Sequence, residues 1–468
     1  MRGRDGDATS RAHQKSGGRA RRHDDHDKRQ ASKKRIFERL RFSSILLFLC
    51  RSRVCWETMV YAWTAVALAL LLVAQQARCQ SAVSWDDFLA TECGFLPDEN
   101  CEVLIPSDTT VTLDSGDAEA ASVTVEGRLV WGDTLPSVLT AGYVVAQNGG
   151  SIEVGSSDEN PAPAGSGVYL KDNGREYPNF LVEGRSFGSF GAGSSFRVHG
   201  SPLGSTWLLL SESAGVGETT FSLEGNPLAD GWKVGDRIAI APTSQEGGNA
   251  EVFTLAAVFD SSVIVDGGQG LSQGRVGDPS NGIQAEVINL SRTVTITGDD
   301  FDFRDHGLHV IAALGGVGVM RYARVEKGGQ RGVLGRYPVH FHLVQDCPQC
   351  QAVGNAVEDS FQRGIVLHGT SGATVSDNVL YGVRGAGIYV EDGNELENTV
   401  SFNVNICPSP SGCTLTGTDN LNSDNGQQSG VSGQAFLTFL CGPNSNRFWS
   451  LHLLTPAFLS LPFYLPLH

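Results

Sequence analysis

The sequence predicts an all-β protein, and three observations carry the prediction. Glycine supplies 57 of the 468 residues and only 18% are charged, so strand-like runs are short and separated by turn-forming residues. Those runs alternate apolar and polar positions, the period of a strand with one buried face. The C-terminal half also repeats. Aligning "AVGNAVEDSFQRGIVLHGT", "TVSDNVLYGVRGAGIYVEDG" and "TVSFNVNI" places Asn355, Asn378 and Asn403 at intervals of 23 and 25, and Gly364-Ile365 and Gly387-Ile388 23 apart. A period in the twenties built from β-branched runs suits stacked coils, each burying its apolar side against its neighbours. A leucine-rich repeat would show a leucine ladder. Its absence selects a parallel β-helix.

Taken in order, residues 1–58 hold 16 Lys plus Arg against 7 Asp plus Glu with no sustained apolar period, the profile of a disordered basic tail or a mis-annotated extension. The whole chain is at −16 and this part at +9, which leaves −25 for residues 59–468. That charge argues against a nucleic-acid-binding body. Residues 59–79 begin with Met59 and carry the apolar run Val60 to Ala74, short for a span of roughly 20 residues. Ala77 and Cys79 place small residues before a cut at Gln80, as in a signal peptide. The competing reading is a signal anchor with the basic tail inside. Either sends the body outside the cytosol, and a membrane partner enters only through that anchor.

Residues 84–210 read as one β unit, through "VLIPSDTTVTL", "SVTVEGRLVW", "YVVAQNGGSIEVGS" and "SSFRVHG". Residues 211–440 read as the parallel β-helix, with "GGQGLSQGRVGDPSNG" (Gly267 to Gly282) its most loop-like part. Residues 441–468 are a proline-broken apolar tail with no assigned function. An oxidising compartment makes the close cysteine pairs Cys93/Cys101, Cys347/Cys350 and Cys407/Cys413 disulfide candidates. "CPQC" lacks the second half of a zinc motif, so no metal site is assigned, and no cofactor can be named. Asn289, in "NLS", is the single glycosylation acceptor and needs exposure to serve.

The chemistry-bearing stretch is "LGRYPVHFHLVQD" (Leu334 to Asp346). On a strand, Val339, Phe341 and Leu343 share one face and His340 and His342 the other, so the pair is expected on an outward surface. Extending the register puts Phe341, Leu367 and Val390 inward, with His342, His368 and Glu391 as an outward column in successive coils. Tyr389 joins that face as His340 does. The bland readings are a structural ladder of stacked polar groups, solvated histidines, an Arg336–Asp346 pair, and acids that cap a turn. Asn355, Asn378 and Asn403 read as such a structural ladder.

These residues together resemble a known family. The pattern from "VLIPSDTTVTL" through "GRLVWGD" and "GGSIEVGS" to "FRVHG" resembles the G8 domain. "SRTVTITGD", "ARVEKGGQRGVLGRYPVHFHLVQD", "VLHGTSG" and "GIYVEDGNELENT" are similar to the β-helix of the cell-surface hyaluronidases and the fibrocystin-like proteins. The resemblance covers Ser84 to Asn405. It implies a G8 domain joined to a right-handed parallel β-helix, outside the cell, that binds or depolymerises an extracellular polysaccharide. The chain departs from the pattern in carrying Ala386 where hyaluronidase-like members place a histidine.

Two classes of function follow. In a hyaluronidase-like enzyme, hydrolysis needs an acid and a base flanking the bond, with carboxylates about 5–5.5 Å apart for retention or about 6.5–9.5 Å for inversion. Asp346, Glu391 and Asp392 are the carboxylates near the column, and His340, His342 and His368 are candidates for proton transfer near neutral pH. A lyase would use a base such as Tyr389 and a cation such as Arg336. Arg324, Lys327, Arg331 and Arg336 lie in the only dense basic stretch of the body and are the candidates for substrate binding. The other class is a non-catalytic glycan-binding or adhesion module, which needs no complete active site.

Overall fold

The computed structural model describes residues 82–94, 98–178, 184–243 and 249–408, together with the strands Leu437–Thr438 and Arg447–Phe448. The basic tail, the residue 59–79 segment, Cys413 and most of the 441–468 tail lie outside the described residues. Among the described residues the regular structure is almost all strand, with one α-helix. The one helix, Trp85–Glu92, is capped by Ser84, whose side chain accepts from the Asp87 N–H at 3.2 Å. It buries Trp85, Phe88 and Leu89 in the core at the first described coil.

Three parallel sheets wrap one core. A nine-stranded sheet runs Glu102–Ile105, Ser122–Val125, Tyr143–Gln147, Ser186–Phe190, His309–Ala313, Val339–Asp346, Ile365–Ser371, Ile388–Val390 and Leu437–Thr438. A ten-stranded sheet and an eight-stranded sheet complete the coils. Each coil turns its alternating apolar residues inward: in Thr110–Leu113, Val138–Ala141 and Ser151–Val154 every second side chain is buried. Strand spacing of roughly 4.8 Å then stacks like on like along the axis. This is the β-helix the repeat predicts.

Two boundaries differ from the sequence reading. Residues 84–210 are not a separate β unit, because Ser186–Phe190 pairs in parallel with His309–Ala313, and Ser195–His199 with Val317–Arg321. The N-terminal coils and the repeat-bearing coils form one continuous stack. The expected β-helix from 211 is interrupted instead. Six strands between Trp207 and Asn289 close into an antiparallel barrel with its own core of Phe221, Trp232, Ile238, Leu255 and Val287. Strand alternation is the same in both architectures, so pattern alone cannot tell an inserted barrel from a coil. Gly267 to Gly282 is the expected loop, carrying a short 3-10 turn, Pro279–Asn281, and isolated bridges at Arg275 and Asp278.

The barrel packs on the eight-stranded sheet. Ala239, Ala241, Ile288 and Leu290 meet Ala356, Val379 and Val404, and Arg237 grips Glu358 with bonds of 2.8 and 3.1 Å. This contact buries Asn289, which is 0% exposed, with its amide donating to Asp236 at 2.9 Å. The expected glycosylation site is therefore closed in the folded protein. Cys93–Cys101 and Cys347–Cys350 are disulfides, with Cα atoms 5.8 and 5.3 Å apart. Asn355, Asn378 and Asn403 form a buried ladder at one corner, each backbone N–H of a coil donating to the Asn carboxamide of the next at 2.9 and 3.0 Å.

Candidate functional site

The site lies on the outer side of the nine-stranded sheet. Strand pairing sets His340 beside Val366 and then Tyr389, and His342 beside His368. Phe341, Leu367 and Val390 are buried in the core behind them. Glu391 follows Val390, its N–H donating to the Leu367 carbonyl at 2.9 Å. The outward column of His342, His368 and Glu391 is thus the arrangement that the register predicts.

A bulge follows the histidines. The ladder shifts between His342 and Gln345, and Leu343 and Gln345 hold φ of 52° and 71°. Gly369, opposite, has φ +54° and would place a Cβ 2.6 Å from Leu343 Cδ2, so a side chain there takes a left-handed backbone and forces Leu343 to shift. The bulge ends the regular ladder where the polar cluster begins.

His340 corrects one expectation. It is outward of the coil but only 1% exposed, because Tyr337 in the preceding segment folds over it, ring centroids 4.7 Å apart. Its Nδ1 faces the Gly335 carbonyl at 3.0 Å. A carbonyl accepts, so Nδ1 carries the hydrogen and Nε2 holds a lone pair. Nε2 is buried and has no hydrogen-bond partner among the described residues. Burial first, then neighbouring His342, holds the His340 pKa well below the ordinary value. Burial, then His368 and Arg336, lowers His342 to about 4. Both rings are neutral at physiological pH.

His368 is the junction of the cluster. Its Nδ1 lies 3.0 Å from His342 Nδ1 and 3.7 Å from Glu391 Oε2, and its Nε2 lies 3.1 Å from Asp392 Oδ2. Asp392 is held by Glu395, whose Oε1 accepts from the Asp392 N–H and the Gly369 N–H, both at 3.0 Å. Burial, the largest influence, raises Glu391 despite the nearby Arg363 guanidinium. Arg363 donates to the Tyr337 hydroxyl at 2.7 Å, lies 3.4 Å from Glu391 Oε1, and stacks 4.0 Å from the Tyr389 ring centroid. Tyr389 is accordingly packed beneath the site with its pKa raised, chiefly by burial.

Other predicted residues lie elsewhere. Asp346 pairs in register with Ser371, four residues beyond His342 and on the far side of the bulge, so it is not part of the cluster. Arg324 is on the eight-stranded sheet, bound to Glu358 and Glu326. Lys327 pairs with Asp300 at 2.7 Å and Arg331 with Asp305 at 3.0 Å. Arg324 and Lys327 thus share one strand of the eight-stranded sheet and Arg331 lies in the turn beyond it, their charges met by local acids. Arg336 alone adjoins the histidines, and it is buried. Sequence reasoning missed Tyr337, Arg363 and Glu395. The repeat held a signal for one of them: Arg363 stands 23 residues before Ala386, so it occupies the coil position from which Ala386 packs against Tyr337, Val366 and Tyr389.

Three imidazoles and two carboxylates at a partly open rim can exchange protons, and His340, His342 and His368 have ligand atoms within 4.8 Å of one another, close enough to hold one metal ion. The sequence had assigned no metal site. Two domain families match the chain: a G8 domain over residues 90–211 and a CEMIP β-helix over residues 305–448. The chain carries both domains. It is similar to a G8 domain-containing protein of Dictyostelium discoideum, 29% identical over 265 residues, 55% of this chain and 17% of that protein. Human Fibrocystin-L is 25% identical over 359 residues, 66% of this chain and 8% of that protein. Human Cell surface hyaluronidase CEMIP2 is 31% identical over 216 residues, 41% of this chain and 15% of that protein. The chain thus spans less than a fifth of the length of these relatives.

Proposed function

We propose that this is an extracellular polysaccharide-binding protein that cleaves its ligand at the rim formed by His368, Glu391 and Asp392. One observation carries the reading: on the outer face of the nine-stranded sheet, His368 lies between two carboxylates and both Asp392 and His368 reach solvent, with side chains 46% and 22% exposed. A glycan laid along successive coils would pass an acid and a base at this point. The relative named a cell surface hyaluronidase supports the substrate class, and the two disulfides support an oxidising compartment. A hydrolase is favoured over a lyase, because Tyr389 and Arg336 are buried behind the rim and do not face an entering polymer.

The second reading, a non-catalytic glycan-binding module, is supported by Ala386, which stands where hyaluronidase-like members place a histidine. Size analysis of anionic and neutral glycans after incubation with the purified chain separates the two. Shortening of one glycan, lost in Asp392→Asn and His368→Gln, supports cleavage. Retention without shortening supports the binding module, and neither retention nor shortening overturns both.

A further inference from the structure

We propose that His340, His342 and His368 form a binding site for one divalent transition-metal ion of the zinc class. The inference does not rest on the glycan reading, since it uses only the geometry of the ring nitrogens. Tetrahedral zinc with Zn–N of about 2.0–2.1 Å sets its ligand nitrogens roughly 3.3 Å apart. His342 Nδ1 and His368 Nδ1 are 3.0 Å apart, and a ligand atom of His340 lies within 4.8 Å of both. A rotation of the half-exposed His368 ring closes the remaining difference.

Two of the three nitrogens that would not bind the ion are already held. Metal-bound histidines generally donate the other ring N–H to a carbonyl or carboxylate, which fixes tautomer and aim. His340 Nδ1 donates to the Gly335 carbonyl at 3.0 Å and His368 Nε2 faces Asp392 at 3.1 Å. This leaves His340 Nε2 and His368 Nδ1 as the lone-pair atoms. His340 Nε2 is buried and has no hydrogen-bond partner among the described residues, an expensive state in a protein interior that an ion relieves. In the metal-free protein the close His342–His368 approach needs one hydrogen, which His342 Nδ1 supplies. On binding, that hydrogen moves to His342 Nε2 and the ion takes its place.

The remaining described histidines are differently engaged. His199 faces Asp158 at 3.0 Å, His309 faces the Ser186 hydroxyl at 2.7 Å, and His306 faces the Arg331 carbonyl at 3.2 Å. Imidazoles select zinc, cobalt, nickel or copper over calcium and magnesium, which prefer all-oxygen shells. Glu391 Oε2, also buried without a hydrogen-bond partner among the described residues and 3.7 Å from His368 Nδ1, supplies counter-charge against the nearby Arg336.

The test is cobalt(II) titration of the untagged full chain, read by visible absorption, with zinc content measured after dialysis. Histidines elsewhere bind equally in wild type and variant, so the difference isolates the site. The expected result is one more equivalent bound by wild type than by His368→Gln, with tetrahedral cobalt absorption and a metal-dependent rise in Tm that the variant lacks. His342→Ala should weaken that equivalent more than 100-fold, and Asp392→Asn by about 10- to 100-fold. His368 is partly exposed, so its variant keeps the fold and decides the matter even if a His340 substitution does not fold. Equal stoichiometry in wild type and His368→Gln, or a site that takes calcium alone, overturns the proposal.

Discussion

Removing one rung of the asparagine ladder should cost more than any surface change in the coils. Asn378 is fully buried. Its Oδ1 accepts from the Asn355 N–H and Asn355 Nδ2, both at 2.9 Å, and its Nδ2 donates to the Ala352 carbonyl at 2.8 Å and Asn403 Oδ1 at 2.9 Å. Asn378→Ala takes this partner from the Asn355 N–H and the Ala352 carbonyl, while Asn355 Nδ2 keeps the Met320 carbonyl and Asn403 Oδ1 keeps the residue 378 N–H. At about 1–3 kcal/mol for each of the two backbone groups left without it, the expected destabilisation is about 2–6 kcal/mol. That is a large share of the ~5–15 kcal/mol typical of a folded protein. Solenoids open locally, so the sharper measurement is hydrogen exchange at the Asn355 amide. Its protection should fall by at least 100-fold, while the Trp207–Asn289 barrel keeps its own. Denaturant unfolding of the variant should show the same loss in midpoint. Unchanged exchange at Asn355, with a destabilisation below about 1 kcal/mol, would refute the claim that the ladder holds the corner.

Glu286 lies in the barrel with its pKa raised by burial to about 8. The folded state keeps a proton that the unfolded state releases above about 4.5, so stability falls as pH rises from about 4.5 through 8, by roughly 3 kcal/mol at pH 7. Glu286→Gln should flatten that slope in denaturant titrations run between pH 5 and 8, and identical slopes would count against the assignment. Gly369→Ala should lower stability by about 2 kcal/mol or more, from the left-handed backbone and the contact with Leu343. The loss should appear in thermal unfolding, and a neutral result would show that the bulge relaxes freely.

Much of this protein is legible in one dimension. The 23- and 25-residue spacing of Asn355, Asn378 and Asn403 contains the β-helix, because stacked coils must repeat whatever fills a corner. The alternation around Phe341, Leu367 and Val390 contains the inward register, and with it the outward column, because a strand has only two faces. Three features needed the third dimension. Strand alternation is identical in a coil and in a barrel, so the insertion between Trp207 and Asn289 carried no periodic mark. Outward from the coil is not the same as exposed: Tyr337 covers His340 only because the segment before the strand folds back, and that depends on contacts far apart in sequence. Arg324, Lys327 and Arg331 look like one free basic patch in sequence, but neighbouring segments bring Glu358, Asp300 and Asp305 against them. The same winding brings His342 and His368, 26 residues apart, to within 3.0 Å. Sequence determined which residues could face outward, and tertiary packing decided which of them meet, since meeting depends on which coil lies next door.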